Sequence, residues 1–202
     1  MFVKVCGITT PEMLDVCVDA SVDAVGVVFA PRSVRYIEPG DARMLGERLP
    51  RSVEFVGVFQ DAPTDTVLEA AHVAGLTTVQ LHGVVEPGGI EAAEAAGLRV
   101  IRALGAAEYA AGAAHDSLLP AVRLLLDGPD PGSGEAADPA SLLSRPPERS
   151  WLLAGGLTPD NVAERIRAYS PYGVDVSSGV ESSRGVKSED LIRAFVAAAC
   201  SA

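Results

Sequence analysis

Cys6 and Asp127 are the two side chains of this sequence whose types and positions best suit proton-transfer chemistry. Cys6 ends a short apolar run, and Lys4 shares its face of a strand, where a cation favours the thiolate over the thiol. Asp127 ends another apolar run, and burial there disfavours the charged form of a carboxyl group, which suits a general acid. A base and an acid without metal or cofactor predict an isomerisation of the aldose–ketose type.

Both residues also have a purely structural interpretation. Cys6 could be a small buried hydrophobic residue, as Cys17 and Cys200 are predicted to be. Asp127 precedes Gly128, and Asp-Gly is a common turn pair. The choice between the two interpretations depends on what surrounds these residues.

A phosphate site is predicted from two glycine-containing segments, Gly155-Gly156 and Ser178-Gly179. Glycines let backbone N–H groups approach an anion, and barrels often bind phosphate after strands seven and eight. The alternative is that both segments are merely tight turns. Arg35 has a guanidinium group suited to a planar carboxylate, although it could equally be a solvated loop charge.

Gln80 and His82 lie on one face of the fourth predicted strand and are further candidates for substrate contacts. A histidine in such a position is more often a hydrogen-bonded structural residue than a catalyst. Lys4 is also taken as a candidate contact because of its place beside Cys6.

Eight β-branched runs alternate with Ala-, Glu- and Leu-rich helical stretches, which is the pattern of a parallel sheet built from βα units. The predicted strands are 2–6, 24–29, 53–59, 78–82, 99–103, 122–127, 151–154 and 173–178, and helices begin near Pro11, Pro39, Pro63, Pro87 and Pro159. The pattern predicts an α/β fold, a compact single-domain (β/α)8 TIM barrel over residues 1–202. A doubly wound open sheet is the alternative, because periodicity does not show closure.

Composition limits the partners. The net charge of −11 argues against a nucleic-acid or anionic-membrane surface, so a small-molecule partner is predicted. Three cysteines without paired spacing, no leader at Met1 and no apolar run of about 18 residues predict a soluble, reduced, cytoplasmic protein. The three scattered histidines indicate no metal. A monomer is the default prediction, with a homodimer possible.

Six segments, in order along nearly the whole chain, resemble the phosphoribosylanthranilate isomerase family of tryptophan biosynthesis. They are KVCGIT at 4–9, DAVGVVF at 23–29, VGVF at 56–59, VQLHG at 79–83, LAGGLTPDNV at 153–162 and VDVSSGVE at 174–181. The resemblance implies a cofactor-free Amadori rearrangement of N-(5'-phosphoribosyl)anthranilate. It also implies a phosphorylated small-molecule substrate.

The resemblance further implies residue roles. Asp127 corresponds to the general acid that opens the furanose ring, and Cys6 to the base that removes the C2' proton. Arg35 corresponds to an arginine near the anthranilate carboxylate, and Asp175 to an aspartate close to the sugar. The two glycine segments correspond to the phosphate cradle.

The loop after the sixth strand departs from the family pattern. The family usually has Gly-Gly-Ser/Thr-Gly and then Phe-Asp-Trp, whereas this chain has Pro131-Gly132-Ser133-Gly134 and then Ala137-Asp138-Pro139. Gly132, Ser133 and Gly134 are retained as candidate substrate contacts. The loss of two aromatic residues bears on turnover and affinity more than on reaction type.

Two other functions remain open at this point. A related phosphosugar synthase or aldolase would use the same glycines, but an aldolase needs a Schiff-base lysine, and the chain has only Lys4 and Lys187. A non-catalytic barrel that binds a phosphometabolite would be indifferent to Cys6 and Asp127. Acid–base catalysis instead predicts a bell-shaped dependence of rate on pH, with Lys4 lowering the thiol pKa.

Overall fold

The computed structural model describes residues 1–105, 108–109, 122–127, 147 and 149–202. Eight parallel strands form a closed barrel in chain order. The strands are β1 Phe2–Cys6, β2 Ala24–Val28, β3 Glu54–Gln60, β4 Thr78–His82, β5 Arg99–Gly105, β6 Arg123–Asp127, β7 Trp151–Leu153 and β8 Gly173–Val176. The predicted (β/α)8 TIM barrel is therefore confirmed.

The described residues also form six α-helices, a 3₁₀-helix and a two-stranded antiparallel hairpin. The helices are α1 Pro11–Asp19, α2 Pro39–Gly46, α3 Thr64–Ala74, α4 Gly89–Ala95, α5 Val162–Tyr169 and α6 Glu189–Cys200. The 3₁₀-helix Ser178–Val180 follows β8 and leads into the hairpin of β9 Glu181–Ser183 and β10 Val186–Lys187.

The first strand closes the barrel. Lys4 on β1 lies opposite Ala24 of β2 on one side and opposite Asp175 of β8 on the other, in parallel register on both sides. This double pairing excludes the open, doubly wound sheet. It also brings together residues from the two ends of the chain.

Alternation along the strands separates an outer apolar core from the apolar residues inside the barrel. Outward-facing side chains pack against the helices in the larger core. Inward-facing residues fill the barrel in a smaller core that consists of Ala24, Val56, Ile101, Ala103, Leu125, Leu152 and Ala154. The barrel interior is thus packed with apolar side chains at mid-height, where the buried Lys4 lies beside Ala24 as a charged exception.

The amino-terminal end of the barrel is closed by a buried ion network around Glu54. Its carboxylate accepts hydrogen bonds from Thr78 Oγ1 at 2.5 Å and Arg123 Nη1 at 3.1 Å, and Arg99 Nε lies 3.1 Å away. The Arg123 guanidinium lies over the Phe2 ring, 4.7 Å from its centroid. Apolar and ionic contacts together seal this end.

Several predicted boundaries differ from the structure. Helix α5 begins at Val162, later than predicted from Pro159, because the Asn161 side chain accepts from the Thr158 N–H and donates to the Gly156 carbonyl, which holds a turn before the helix. Strand β8 ends at Val176, where Ser177 leaves the extended conformation. The hairpin β9–β10 was not predicted. Within the described residues, no helix is both long and apolar enough to span a bilayer.

Candidate active site

The carboxyl ends of the barrel strands surround a cavity of about 520 Å³. Six predicted site residues come together in its wall, each from a barrel strand or the loop that follows one. They are Cys6, Arg35, Gln80, His82, Asp127 and Asp175. The arrangement follows from parallel strands, whose carboxyl ends all open on the same side of a barrel.

Lys4 is not among the residues that line this cavity, so nothing in the structure supports its prediction as a substrate contact. Its side chain is fully buried, and Nζ donates to Asp175 Oδ1 at 2.9 Å. Lys4 lies one inward-facing position below Cys6 on β1, so Asp175 and Cys6 lie between it and the open end. Gly26 makes room for this group, because a Cβ atom there would lie 3.0 Å from Cys6 Sγ and 3.2 Å from Lys4 Nζ.

The pKa of Cys6 is raised rather than lowered. Burial is the largest cause, and the positive charges of Lys4 and Lys187 oppose it only in part. Burial also works to lower the pKa of Lys4, but the carboxylate of Asp175 and the thiol of Cys6 outweigh it, so that pKa is raised. Lys4 does lower the thiol pKa, as predicted, but burial outweighs it, so the expectation that the thiol pKa would lie below its usual value is wrong.

Asp127 ends β6 and is 8% exposed. It lies on the opposite side of the strand ring from the β1–β2 pair, with β7 and β8 between it and β1. Its carboxyl group lines the large cavity and also a second pocket of about 70 Å³. Asp127 thus lies where the two spaces meet.

The second pocket is built from the two predicted glycine segments. Gly155 and Gly156 have φ angles of +84° and +62°, which glycine adopts readily. A Cβ atom at Gly179 would collide with the carbonyl oxygen of Leu157, so only glycine fits there. Ser178 joins these glycines in the lining. Loops of this kind present backbone N–H groups to an anion.

Gln80 and His82 form a hydrogen-bonded pair in the cavity wall. Gln80 Nε2 and His82 Nε2 are 2.7 Å apart. Gln80 is 2% exposed, and its Oε1 atom has no hydrogen-bond partner. Burial lowers the pKa of His82 to about 4, helped by the charges of Lys4 and Arg102, so its imidazole is neutral at pH 7. The pair therefore offers neutral polar groups, one of them unsatisfied, beside the cavity.

Arg35 is placed in the wall by a bidentate ion pair with Glu181. Arg35 Nε donates to Oε1 at 2.6 Å, and Nη2 donates to Oε2 at 2.9 Å. The aliphatic part of Arg35 lies against Gly7, where a Cβ atom would lie 2.6 Å from Arg35 Cδ. Since Gly7 follows Cys6, the guanidinium is held beside the candidate base.

Known relatives match this chain over nearly its whole length. The sequence model described as N-(5'phosphoribosyl)anthranilate (PRA) isomerase matches residues 3–198. The N-(5'-phosphoribosyl)anthranilate isomerase of Deinococcus radiodurans is 44% identical over 198 residues, which cover 96% of this chain and 94% of the relative. The chain belongs to the phosphoribosylanthranilate isomerase family.

Solved structures of this family have the same barrel. The crystal structure of phosphoribosyl anthranilate isomerase from Thermus thermophilus has a TM-score of 0.86 and 42% identity, and the match covers 100% of this chain and 99% of that one. A structure of the isomerase in complex with reduced 1-(o-carboxyphenylamino)-1-deoxyribulose 5-phosphate has a TM-score of 0.82 and 36% identity, with 100% of both chains covered.

The aldolase alternative to this isomerase family finds no suitable lysine. Lys4 is paired with Asp175, and Lys187 Nζ donates to Glu181 Oε1 at 2.8 Å and to the Ser177 carbonyl at 2.8 Å. Both ammonium groups are buried and held by carboxylates. Neither lines the cavity where a carbonyl substrate would react.

Some cavity residues were missed by the sequence reasoning. Gln60, Ser177 and Arg184 line the cavity but were not predicted as site residues. Glu181, which holds Arg35, and Lys187, which pairs with Glu181, lie behind the wall and were not predicted as site residues either. Arg184 and Lys187 lie at the turn and on the second strand of the unpredicted hairpin. The turn sequence Ser182-Ser183-Arg184-Gly185 was the signal that could have revealed it.

The candidates Gly132, Ser133 and Gly134 lie outside the described residues, so their role stays a prediction. Within residues 1–105, 108–109, 122–127, 147 and 149–202, no three His, Cys, Asp or Glu side chains are grouped as metal ligands would be. The independence from metals and cofactors likewise stays a prediction.

Proposed function

We propose that this enzyme catalyses the Amadori rearrangement of N-(5'-phosphoribosyl)anthranilate to 1-(2-carboxyphenylamino)-1-deoxyribulose 5-phosphate. Asp127 acts as the general acid and Cys6 as the general base. The reaction is the isomerase step of tryptophan biosynthesis and needs no cofactor. Residues 1–202 act as one barrel domain, a monomer by default, on a small phosphorylated substrate.

One observation carries the proposal: the large cavity and the glycine pocket are adjoining spaces with a shared wall. Asp127, Asp175 and Ser177 line both of them. A phosphate in the glycine pocket would place the attached sugar at these shared residues and the rest of the substrate in the large cavity. Asp127 would then face the ribose, and Cys6 and Arg35 would lie beyond it.

The residues at the cavity supply each proton transfer. Asp127 donates a proton to the furanose ring oxygen as the C1'–oxygen bond breaks, which gives the open-chain Schiff base. The Cys6 thiolate then removes the proton from C2', and the electron pair moves to neutralise the Schiff-base nitrogen, which gives the enolamine. Tautomerisation of the enolamine to the ketone completes the rearrangement. General acid–base steps of this kind contribute about 10²–10⁴-fold each.

Neutral groups orient the sugar. His82 is uncharged at pH 7, and the unpartnered Oε1 of Gln80 is a buried acceptor that a substrate hydroxyl would satisfy. Asp175 remains bonded to Lys4, which leaves its second oxygen available to a ribose hydroxyl. The backbone N–H groups around Gly155, Gly156, Ser178 and Gly179 hold the phosphate, so an acidic protein binds an anion without a phosphate-binding lysine.

The first test is the fall of anthranilate-type fluorescence when the purified protein meets phosphoribosylanthranilate generated in place. We expect turnover by the wild type and a loss of about 10²–10⁴-fold in kcat for Cys6→Ala and for Asp127→Ala. Cys17→Ala is the matched control. Cys17 is also a buried cysteine, but it packs in the outer core, away from the cavity.

Wild-type protein without turnover would contradict the proposal. Full activity in Cys6→Ala or Asp127→Ala would contradict the assigned roles while leaving the reaction in place. Retained binding of phosphate ligands without turnover would favour the non-catalytic barrel. Circular dichroism of each variant separates a lost proton transfer from a lost fold.

A further inference from the structure

The carboxylate of Glu181, beside the open end of the barrel, is fully hydrogen-bonded. Oε1 accepts from Arg35 Nε at 2.6 Å and Lys187 Nζ at 2.8 Å, and Oε2 accepts from Arg35 Nη2 at 2.9 Å and the Gly185 N–H at 2.9 Å. A carboxylate has about four acceptor positions, and all four are used. Glu181 is therefore not free to accept a proton or a hydrogen bond from a substrate.

The partners of Glu181 hold it in one place. Gly185 and Lys187 lie on the same β9–β10 hairpin, at its turn and on its second strand. Lys187 Nζ also donates to the Ser177 carbonyl at 2.8 Å, and Ser177 Oγ donates to the Cys6 carbonyl at 3.1 Å. A continuous set of hydrogen bonds thus joins the hairpin, the end of β8 and the end of β1.

Arg35 is held by one edge only. Glu181 occupies the edge formed by Nε and Nη2, and among the described residues Nη1 makes no hydrogen bond. A guanidinium group can bind two carboxylates through two different edges, since its five N–H donors lie in one plane. The Arg35 side chain is 14% exposed and lines the cavity, so its second edge is the part of the guanidinium left to meet a substrate there.

We propose that Glu181 is a positioning residue, which fixes one edge of Arg35 so that the other edge binds the carboxylate of the substrate. The hairpin β9–β10 therefore acts as a specificity element: it selects substrates with a carboxylate on the group attached to the sugar. This inference rests on the proposed function, in which Arg35 meets the anthranilate carboxylate. The Arg35–Glu181 pair is formed before substrate binds, which reduces the ordering that binding requires.

The test compares two ligands that differ in the carboxyphenylamino group. Reduced 1-(o-carboxyphenylamino)-1-deoxyribulose 5-phosphate carries the carboxylate, and ribulose 5-phosphate lacks it. For Glu181→Gln we expect about tenfold weaker binding of the first ligand and binding of the second within about twofold of wild type, since a coupled pair is worth on this order. KM should rise about tenfold while kcat changes less than about threefold.

A double-variant cycle separates positioning from general support. In an Arg35→Ala background, Glu181→Gln should cause no further loss of affinity for the carboxylated ligand, since the side chain that it positions is absent. Glu54→Gln is the matched control, because each glutamate has a buried carboxylate paired with two cations, and Glu54 lies at the opposite end of the barrel. The Glu54→Gln variant should bind both ligands with the affinity of the wild type.

Equal loss of both ligands in Glu181→Gln, or additive losses in the double variant, would overturn the inference. If Glu181→Gln fails to fold, Glu181→Asp keeps the charge but is one methylene too short for the bidentate pair, and the same selective loss is expected. Wild-type protein without turnover that still shows the Glu181-dependent preference would contradict the proposed function alone. Turnover without that preference would contradict this inference alone.

Discussion

The two ends of this barrel both bury ion networks, but they leave different groups unsatisfied. At the amino-terminal end, the carboxylate of Glu54 is surrounded by Thr78, Arg99 and Arg123, and aromatic rings cover the last of these. At the carboxyl end, the network of Arg35 and Glu181 borders a cavity of about 520 Å³. The first network closes the barrel, whereas the second faces a space large enough for a substrate.

This difference indicates which end of the barrel binds the substrate. Buried polar groups in proteins are normally hydrogen-bonded, so an unpaired one requires an explanation. Gln80 Oε1 is such an atom, and Gln80 lines the cavity at the carboxyl end. Among the described residues, no buried side-chain atom at the amino-terminal end is left without a partner. Unsatisfied polar groups beside a cavity distinguish a binding site from a structural network.

The largest effect is expected from removing one buried carboxylate charge at each end. Asp175→Asn leaves Lys4 buried without its ionic partner, and Glu54→Gln leaves Arg123 in a similar position. Breaking a buried pair costs about 3–5 kcal/mol, which we expect for Asp175→Asn, and the cost should be smaller for Glu54→Gln because Arg99 and Arg123 are 62% and 21% exposed. Urea unfolding should therefore show both variants destabilised, Asp175→Asn more strongly. Only Asp175→Asn should also lose activity, by about 100-fold in kcat, because it disturbs the group next to Cys6.

The comparison of the two ends would fail if Glu54→Gln lost as much activity as Asp175→Asn under conditions where both are folded. Activity per folded molecule, measured well below the urea midpoint of each variant, is the deciding quantity. If Glu54→Gln loses stability but keeps its kcat, the ion network around Glu54 serves only to close the barrel.

The sequence predicted the strands well because local patterns determine them. Strands β1 and β4 have the predicted bounds, and the chemical residues at strand ends do surround one cavity. The hairpin β9–β10 was missed because its strands are three and two residues long, too short for a periodic pattern. The hairpin is nevertheless what holds Arg35.

The sequence could not show partners that are distant along the chain. Arg35 and Glu181 are 146 positions apart, and Lys4 and Asp175 are 171 positions apart. Lys4 was predicted from its neighbour alone to lower the pKa of Cys6, but burial and the Asp175 charge act in the other direction. Electrostatic predictions from neighbouring residues fail where the fold decides burial and pairing.

A smaller effect is expected from His82, at the carboxyl end of the barrel, on how the free energy of unfolding depends on pH. Burial, with the charges of Lys4 and Arg102, lowers the pKa of His82 to about 4 from a reference value of 6.5. As pH falls from 6.5 to 4, the unfolded imidazole binds a proton and the folded one does not. Unfolding free energy should therefore fall by about 3 kcal/mol over this range from this residue alone.

Urea unfolding of wild type and His82→Gln between pH 4 and 7 measures this contribution. The variant should lose less stability on acidification than the wild type does. His72→Gln, at an exposed position on α3, is the matched control and should follow the wild type. Equal slopes for His82→Gln and wild type would show that the open end does not keep this imidazole neutral.

The smallest effect concerns the pKa of the Cys6 thiol at the carboxyl end of the barrel. Burial raises the pKa of Cys6 above its reference value of 9.0, although the charges of Lys4 and Lys187 oppose this. In a Cys200→Ser background, which removes the exposed cysteine, alkylation by iodoacetamide should rise about tenfold per pH unit from pH 7 to 9. Cys17 should not interfere, since burial raises its pKa to about 12.

The ionisation of Cys6 also determines the pH above which kcat/KM declines. Activity requires a protonated Asp127 and an ionised Cys6, and the alkaline limb of such a profile reports the higher of the two pKa values. A thiol ionises far above a carboxyl group, so kcat/KM should decline only above pH 9. A plateau of Cys6 alkylation near pH 7 would mean that the cations of the open end outweigh burial. The carboxyl end would then be an electropositive site, and the contrast between the two ends would be one of charge as well as of access.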